Sequence, residues 1–358
     1  VHCRRSLTCG YENIAFQAKQ RRKKIITVSE KNNYLCRSFL VVNFNNNNMD
    51  KTQIENRMKK DNRTLSPDRL FPVGDYQVYD GCNFSISLTH ICNADCTFCI
   101  EKLKYMNRAE GLTTEIIENV SDYVFQNIQQ KQISITGGEP LRSDSLEAVL
   151  MVSQRFKKSV LTTNGTTLWE KLPLLYKYDL KHLNVSRVSI NQKKNADIMK
   201  FPFYKDDFGL SLQEVSRIKI PVRMSCLLLR EGVDTIDMIK EYVDYYAAFG
   251  VKSFVFRELT SVSTSMVSEN THNYLLNNKI WLKTLDFSEF EHVSTRLGYY
   301  YHVEKYNYNG VTVYTEKANL KKAYEMQDNN KSIVYELILH PDGILRRSWD
   351  KNSPSIFL

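Results

Sequence analysis

Three cysteines crowd into eight residues of the segment Thr89-His90-Ile91-Cys92-Asn93-Ala94-Asp95-Cys96-Thr97-Phe98-Cys99. Three thiolates on one short loop can wrap a single metal centre. A [4Fe–4S] cubane held by Cys92, Cys96 and Cys99 would keep one iron without a protein ligand. An open coordination position is what chemistry at iron requires, whereas electron carriers close all four. A zinc site built from the same cysteines and His90 is the alternative, and the spacing alone does not choose between them. The other cysteines do not form a disulfide framework: three of the eight (Cys3, Cys9, Cys36) sit near the start of the sequence. The clustering is metal-ligand spacing in a chain of cytosolic character.

Two further motifs follow. A β-like run ends in Gly137-Gly138-Glu139-Pro140, and the next ends in Thr162-Thr163-Asn164-Gly165. Glycines allow backbone to approach a ligand without a Cβ in the way. The cysteine spacing, with Phe98 before the last cysteine, resembles the signature of the radical S-adenosylmethionine (SAM) superfamily. The other two motifs are similar to its GGEP and TTNG segments, in the same order. The resemblance spans about Phe84 to Glu258. It implies a [4Fe–4S] cluster on Cys92, Cys96 and Cys99 and SAM chelating the open iron. It also implies reductive cleavage of SAM to a 5′-deoxyadenosyl radical that takes hydrogen from a substrate. On this reading Phe98, Gly137, Gly138, Glu139, Pro140, Thr163 and Ser186 contact the cofactor, the two glycine carbonyls facing the methionine amino group. An electron donor such as flavodoxin or ferredoxin is implied as a partner.

Other residues invite weaker functional readings. Arg187 and Arg257 stand near strand ends, where a cation could hold the SAM carboxylate or a substrate, or simply meet solvent. Cys226 could donate a hydrogen atom, but a buried cysteine usually acts as a small hydrophobe. Tyr299-Tyr300-Tyr301 fits hairpin packing better than a substrate platform. No cysteine follows Cys226. Relatives with auxiliary clusters place cysteines there, so the molybdenum-cofactor GTP cyclases and the peptide-modifying enzymes with cysteine-rich extensions both match poorly. The substrate stays open among a small metabolite, a nucleoside and a peptide. The runner-up of a different class is a non-catalytic zinc- or iron–sulfur-binding module.

The elements that must position these residues alternate. Strands are expected at 84–88, 133–136, 159–162, 182–190, 222–229 and 251–258. Helical patterns fall at 113–129, 145–156, 167–176, 212–217 and 235–249. Six strands alternating with helices predict an α/β fold, a partial (β/α)6 TIM-like barrel with sites at the strands' C-terminal ends. Asn309-Gly310 and Pro341-Asp342-Gly343 each join two β-like runs. They predict a C-terminal helical plus antiparallel β extension that covers the substrate. The organisation expected is 1–48 a disordered or non-native extension, 49–80 a loosely packed lead-in, 81–260 the radical SAM core and 261–358 the extension.

The chain has 358 residues and a net charge of +9. Residues 1–48 hold nine Lys/Arg and two Asp/Glu, so +7 of that charge lies in this one segment. The charge is a solvated tail and not a nucleic-acid surface, and no nucleic-acid partner is expected. The segment ends in an asparagine run before Met49, which reads as a natural start. No apolar run reaches the roughly eighteen residues of a membrane span, and no signal-peptide core is present. A cytoplasmic address is the expectation.

Overall fold

The computed structural model describes residues 70–100, 111–202, 208–260, 262, 267–298, 300–350 and 353–356. The expectations for 1–48 and for the first part of the lead-in therefore fall outside the described residues, as does Tyr299. The described residues lie within one compact unit, Asn56–Leu358.

The strands of the core are β1 (Leu70–Val73), β2 (Tyr76–Ser87), β3 (Gln132–Thr136), β4 (Lys158–Thr163), β5 (His182–Ser186), β6 (Val222–Leu227) and β7 (Ser253–Arg257). Between them run α1 (Thr114–Asn127), α2 (Leu146–Ser153), α3 (Leu168–Lys177), α4 (Gln192–Met199), α5 (Phe208–Arg217) and α6 (Ile236–Ala247). The helices start where hydroxyls cap them. Thr113 accepts from the Ile116 amide and Thr235 from the Met238 amide, which satisfies donors no helical carbonyl can reach. Strands β2 to β7 pair in sequence order, each parallel to the next. This is the partial (β/α)6 barrel that the alternation predicts.

Strand alternation divides the sheet into two faces. Phe84, Ile86, Ile133, Ile135, Leu161, Leu183, Val185, Met224 and Phe254 are almost wholly buried in one core cluster under the helices. Each such side chain contributes about 1.5–3 kcal/mol by burial. The intervening residues, among them Ser134, Thr136, Thr162, Asn184, Ser186 and Arg223, are only partly buried or polar. They form the concave face.

Three expectations are corrected. The strand expected to run to Ile190 ends at Ser186, because fully buried Asn195 bends the chain. Its Oδ1 accepts from the Val188 and Ser189 amides at 2.8 and 3.1 Å. Helix α4, not anticipated, follows at once under an Asn191 cap. Second, the tail of the lead-in is not loose: β1 and the start of β2 form an antiparallel hairpin. Third, the C-terminal helical and antiparallel extension forms as expected, but its strands also join the core sheet. After α7 (Glu269–Asn278) come β8 (Glu291–Leu297), β9 (Tyr301–Tyr308), β10 (Val311–Ala318), α8 (Leu320–Asn329), β11 (Ile333–Leu339) and β12 (Leu345–Arg346). Strand β10 adds parallel to β7 and β11 adds parallel to β2. The sheet order is β12-β11-β2-β3-β4-β5-β6-β7-β10-β9-β8. Both edges of the six-stranded core, rows of backbone groups that need partners, are thus taken up by the C-terminal region. The hairpins themselves form as expected, with Asn309 and Gly310 both at positive φ in the β9–β10 turn.

Candidate active site

The cysteine loop, the Gly137 turn and the Thr163 turn meet at the C-terminal ends of β2, β3 and β4. They border one open cleft. It is lined by Cys92, Cys96, Phe98 and Cys99 from the loop, Thr136, Gly137 and Gly138 from β3, and Thr162, Thr163 and Asn164 from β4. Ser186 and Val188 add the β5 wall, and Ser225 and Leu227 the β6 wall.

Backbone hydrogen bonds stitch the loop to the sheet. The Leu88 amide donates to Thr136 O at 2.8 Å, the Gly138 amide to Thr89 O at 2.7 Å, and the Glu139 amide to Ile91 O at 2.9 Å. The glycines here serve that close approach. A Cβ on Gly138 would stand 2.3 Å from Ile91 O, and one on Gly137, whose φ is +146°, 2.8 Å from Thr89 O. On the far side, the Asp95 amide and the Cys96 thiol both donate to Met199 O, at 3.1 and 3.2 Å. The unanticipated α4 is therefore one wall of the cysteine loop.

Glu139 and Pro140, expected to contact the cofactor, are not among the residues that line the cleft. Both are buried, Glu139 to 0% exposure. The Glu139 carboxylate is turned inward. Oε1 accepts from the Thr163 hydroxyl at 2.5 Å and the Leu141 amide at 3.1 Å, and Oε2 accepts from the Asn164 amide at 2.7 Å. Burial raises its pKa, against which these bonds and Arg187 act. Thr163 faces the cleft, but its hydroxyl serves Glu139 and accepts from the Gly165 amide at 2.9 Å. Both residues hold the GGEP and TTNG turns together.

Asn164 was visible only as a letter of the motif. Its Nδ2 donates to Asn93 Oδ1 at 2.9 Å and approaches the Cys92 sulfur at 3.9 Å. Asn93 in turn donates to Thr166 at 2.8 Å. An amide pair thus clips the cysteine loop to β4. Composition could not reveal this, because the pairing partner lies 71 residues away.

The remaining candidates divide. Ser186 lines the cleft as expected. Arg187 is wholly buried, with its guanidinium 4.0 Å from the Phe208 ring centroid and 5.3 Å from that of Phe201. It does not line the cleft. Arg257 donates to Ser225 at 2.6 Å and pairs with Glu316 at 3.1 Å. Cys226 is fully buried on the helix-facing side, where burial pushes its thiol well up, as suits a small hydrophobe. Tyr300 packs on Tyr301 and donates to Glu336.

These residues fit an iron–sulfur cluster and a SAM molecule. Three soft donors border one cleft, and the Cys99 amide donates a hydrogen bond to Cys96 O at 3.1 Å. The glycine turn beside them has its Gly138 and Glu139 amides already committed. Among the described residues, no group of three His, Cys, Asp or Glu is arranged to hold a single metal ion, the three cysteines included.

The Radical SAM superfamily model matches residues 86–241. Residues 86–241 are thus similar to a radical SAM domain. The superfamily is one of enzymes that use a [4Fe–4S] cluster and SAM. Among curated relatives, a GTP 3′,8-cyclase of Aquifex aeolicus is 34% identical over 120 residues, 32% of this chain and 37% of that protein. A probable GTP 3′,8-cyclase of Methanosarcina acetivorans is 25% identical over 273 residues, 75% of this chain and 76% of that protein. Similarity of that extent runs against the expectation that the GTP cyclases match poorly, although the cysteine-free region after Cys226 stands. The chain spans only 37–48% of the Aquifex and two Pyrococcus cyclases it matches. In fold, the chain is similar to Streptococcus suis SuiB bound to precursor peptide SuiA. The TM-score is 0.51 at 14% identity, covering 96% of this chain and 75% of that one. Among the described residues, no helix is long and apolar enough to cross a membrane.

Proposed function

We propose that this chain is a radical SAM enzyme whose cluster is held by Cys92, Cys96 and Cys99 and whose SAM lies in the cleft above β3 to β6. The convergence of the three cysteines with the Gly137-Gly138 turn on one cleft carries this reading. When bound, the cluster and SAM supply reductive cleavage of the sulfonium carbon–sulfur bond, giving the 5′-deoxyadenosyl radical that takes hydrogen from a substrate. The protein's part is position. Gly137 and Gly138 offer carbonyls to the methionine ammonium, and Thr136, Thr162 and Ser186 offer hydroxyls along the strand ends. Phe98, Val188 and Leu227 keep water from the reacting atoms. Glu139 and Thr163 act as positioning residues behind that surface. An external one-electron donor, a small flavin or iron–sulfur protein, completes the requirement, in a compartment that keeps thiols reduced.

The substrate is the finer question. The relatives' names make GTP the first compound to try. Against it, this sequence offers no thiols after Cys226 for a second cluster. The test is anaerobic reconstitution of the full chain followed by iron and sulfide analysis. About four of each per chain, with brown colour, is the expected result. A colourless protein retaining one zinc would overturn the reading in favour of the binding module.

A further inference from the structure

Beside the cleft, the concave face carries a second group of polar side chains. Ser225 and Leu227 of β6 line the cleft. Arg223 precedes Ser225 by two residues and so shares its face. Its Nε donates to Asn184 Oδ1 on β5 at 2.8 Å. Among the described residues its two Nη nitrogens make no hydrogen bond. The neighbouring Arg257 of β7 reaches the same Ser225 through Nη1 at 2.6 Å, and its Nε pairs with Glu316 of β10 at 3.1 Å. Both arginines are only partly exposed.

Among the described residues, two guanidinium groups thus share one carboxylate, Glu316. The imbalance is felt locally. Burial first, then the Arg257 charge, lowers the Arg223 pKa, with Glu316 acting the other way. On β5, the neighbouring His182 has a buried Nε2 without a hydrogen-bond partner. Burial and then Arg223 hold its pKa down at about 4. Partly desolvated cations without a matching anion are costly, and planar guanidinium forks suit oxyanions.

We propose that Arg223 and Arg257 form an oxyanion subsite beside the SAM cleft, which takes a phosphate or carboxylate group of the substrate. Asn184 and Ser225 fix the two forks, and Arg223 offers the unengaged nitrogens. The proposal rests on the reading of the cleft as the SAM site, since it places the substrate's anionic end next to it. It makes the substrate an anion, with the charged group held by β6 and β7 and the reacting carbon toward the cleft.

The test is isothermal titration of the full chain with inorganic pyrophosphate and, separately, with succinate, at one fixed ionic strength. It needs neither a reduced cluster nor SAM turnover, so it can fail while the radical SAM reading stands, or the reverse. Binding of one anion per chain is expected. A preference for pyrophosphate marks a phosphorylated substrate, and a preference for succinate a carboxylic acid. Arg223→Met should weaken binding about tenfold, the loss of a charge-assisted contact. Glu316→Gln removes the competing carboxylate and should tighten binding severalfold, a direction that misfolding cannot imitate. Failure of the wild-type chain to bind either anion overturns the proposal. So does equal binding by Arg223→Met, or unchanged binding by Glu316→Gln.

Discussion

The Asn164 amide donates to the Glu139 carboxylate at 2.7 Å, so the turn after β4 is hung from the turn after β3. The same carboxylate takes the Thr163 hydroxyl and the Leu141 amide. Three buried donors therefore depend on one side chain. Glu139→Ala should destabilise the chain by about 3 kcal/mol, because each orphaned buried donor costs about 1–3 kcal/mol and the sites relax in part. Glu139→Gln keeps the shape and the bonds to one oxygen, sets its NH2 against the remaining donor, and should cost less than Glu139→Ala. Urea unfolding of the three proteins checks this ordering. A Glu139→Ala protein within about 0.5 kcal/mol of wild type would show the network to be incidental.

Gly138 sets the distance between the cysteine loop and β3. A methyl group there would meet Ile91 O at 2.3 Å, and Ile91 O is backbone that cannot rotate away. The loop must lift, carrying Cys92 with it. Gly138→Ala is expected to reconstitute with less than half the wild-type iron while keeping its far-ultraviolet circular dichroism. Equal iron content in the two proteins would mean that the loop tolerates the shift.

Much of this site was legible because its parts are local. The Cys92–Cys99 spacing, the two glycine-containing turns and the strand-helix alternation are all written within short windows. Pairing across the chain is not written in such windows. Glu139 carries the charge of a ligand residue, yet burial and three donors turn it into a brace. Gly137 and Gly138 looked like room for a ligand, and they are first of all room for the backbone of Thr89 and Ile91. Asn164 and Asn93 are unremarkable letters until the sheet brings them together. The C-terminal hairpins showed their own turns but not their parallel docking on β2 and β7, since register with a distant strand leaves no local pattern.

His182 gives a pH signature. Its folded pKa, about 4, lies below the ordinary value of 6.5 because the ring is buried beside Arg223. Above pH 6.5 the ring is neutral in both states and its packing is fully present. As pH falls from 6.5 towards 4, the unfolded chain takes up the proton first and stability is lost. The half-buried ring should account for about 2 kcal/mol of that loss, less than the full shift because solvent screens it. Unfolding midpoints at pH 7.5 and pH 5 should fall further for wild type than for His182→Gln. Identical drops would show that the ring titrates normally in the folded chain.

The central claim is that the loop of Cys92, Cys96 and Cys99 works with the Gly137 turn to break SAM. The most direct measurement is 5′-deoxyadenosine released by the anaerobically reconstituted full chain, with SAM and dithionite, beside a Cys96→Ser protein treated alike. Slow release of 5′-deoxyadenosine and methionine is expected from the wild type even without substrate, and none from Cys96→Ser. Intact SAM after reduction of a wild-type protein with a demonstrated cluster would contradict it.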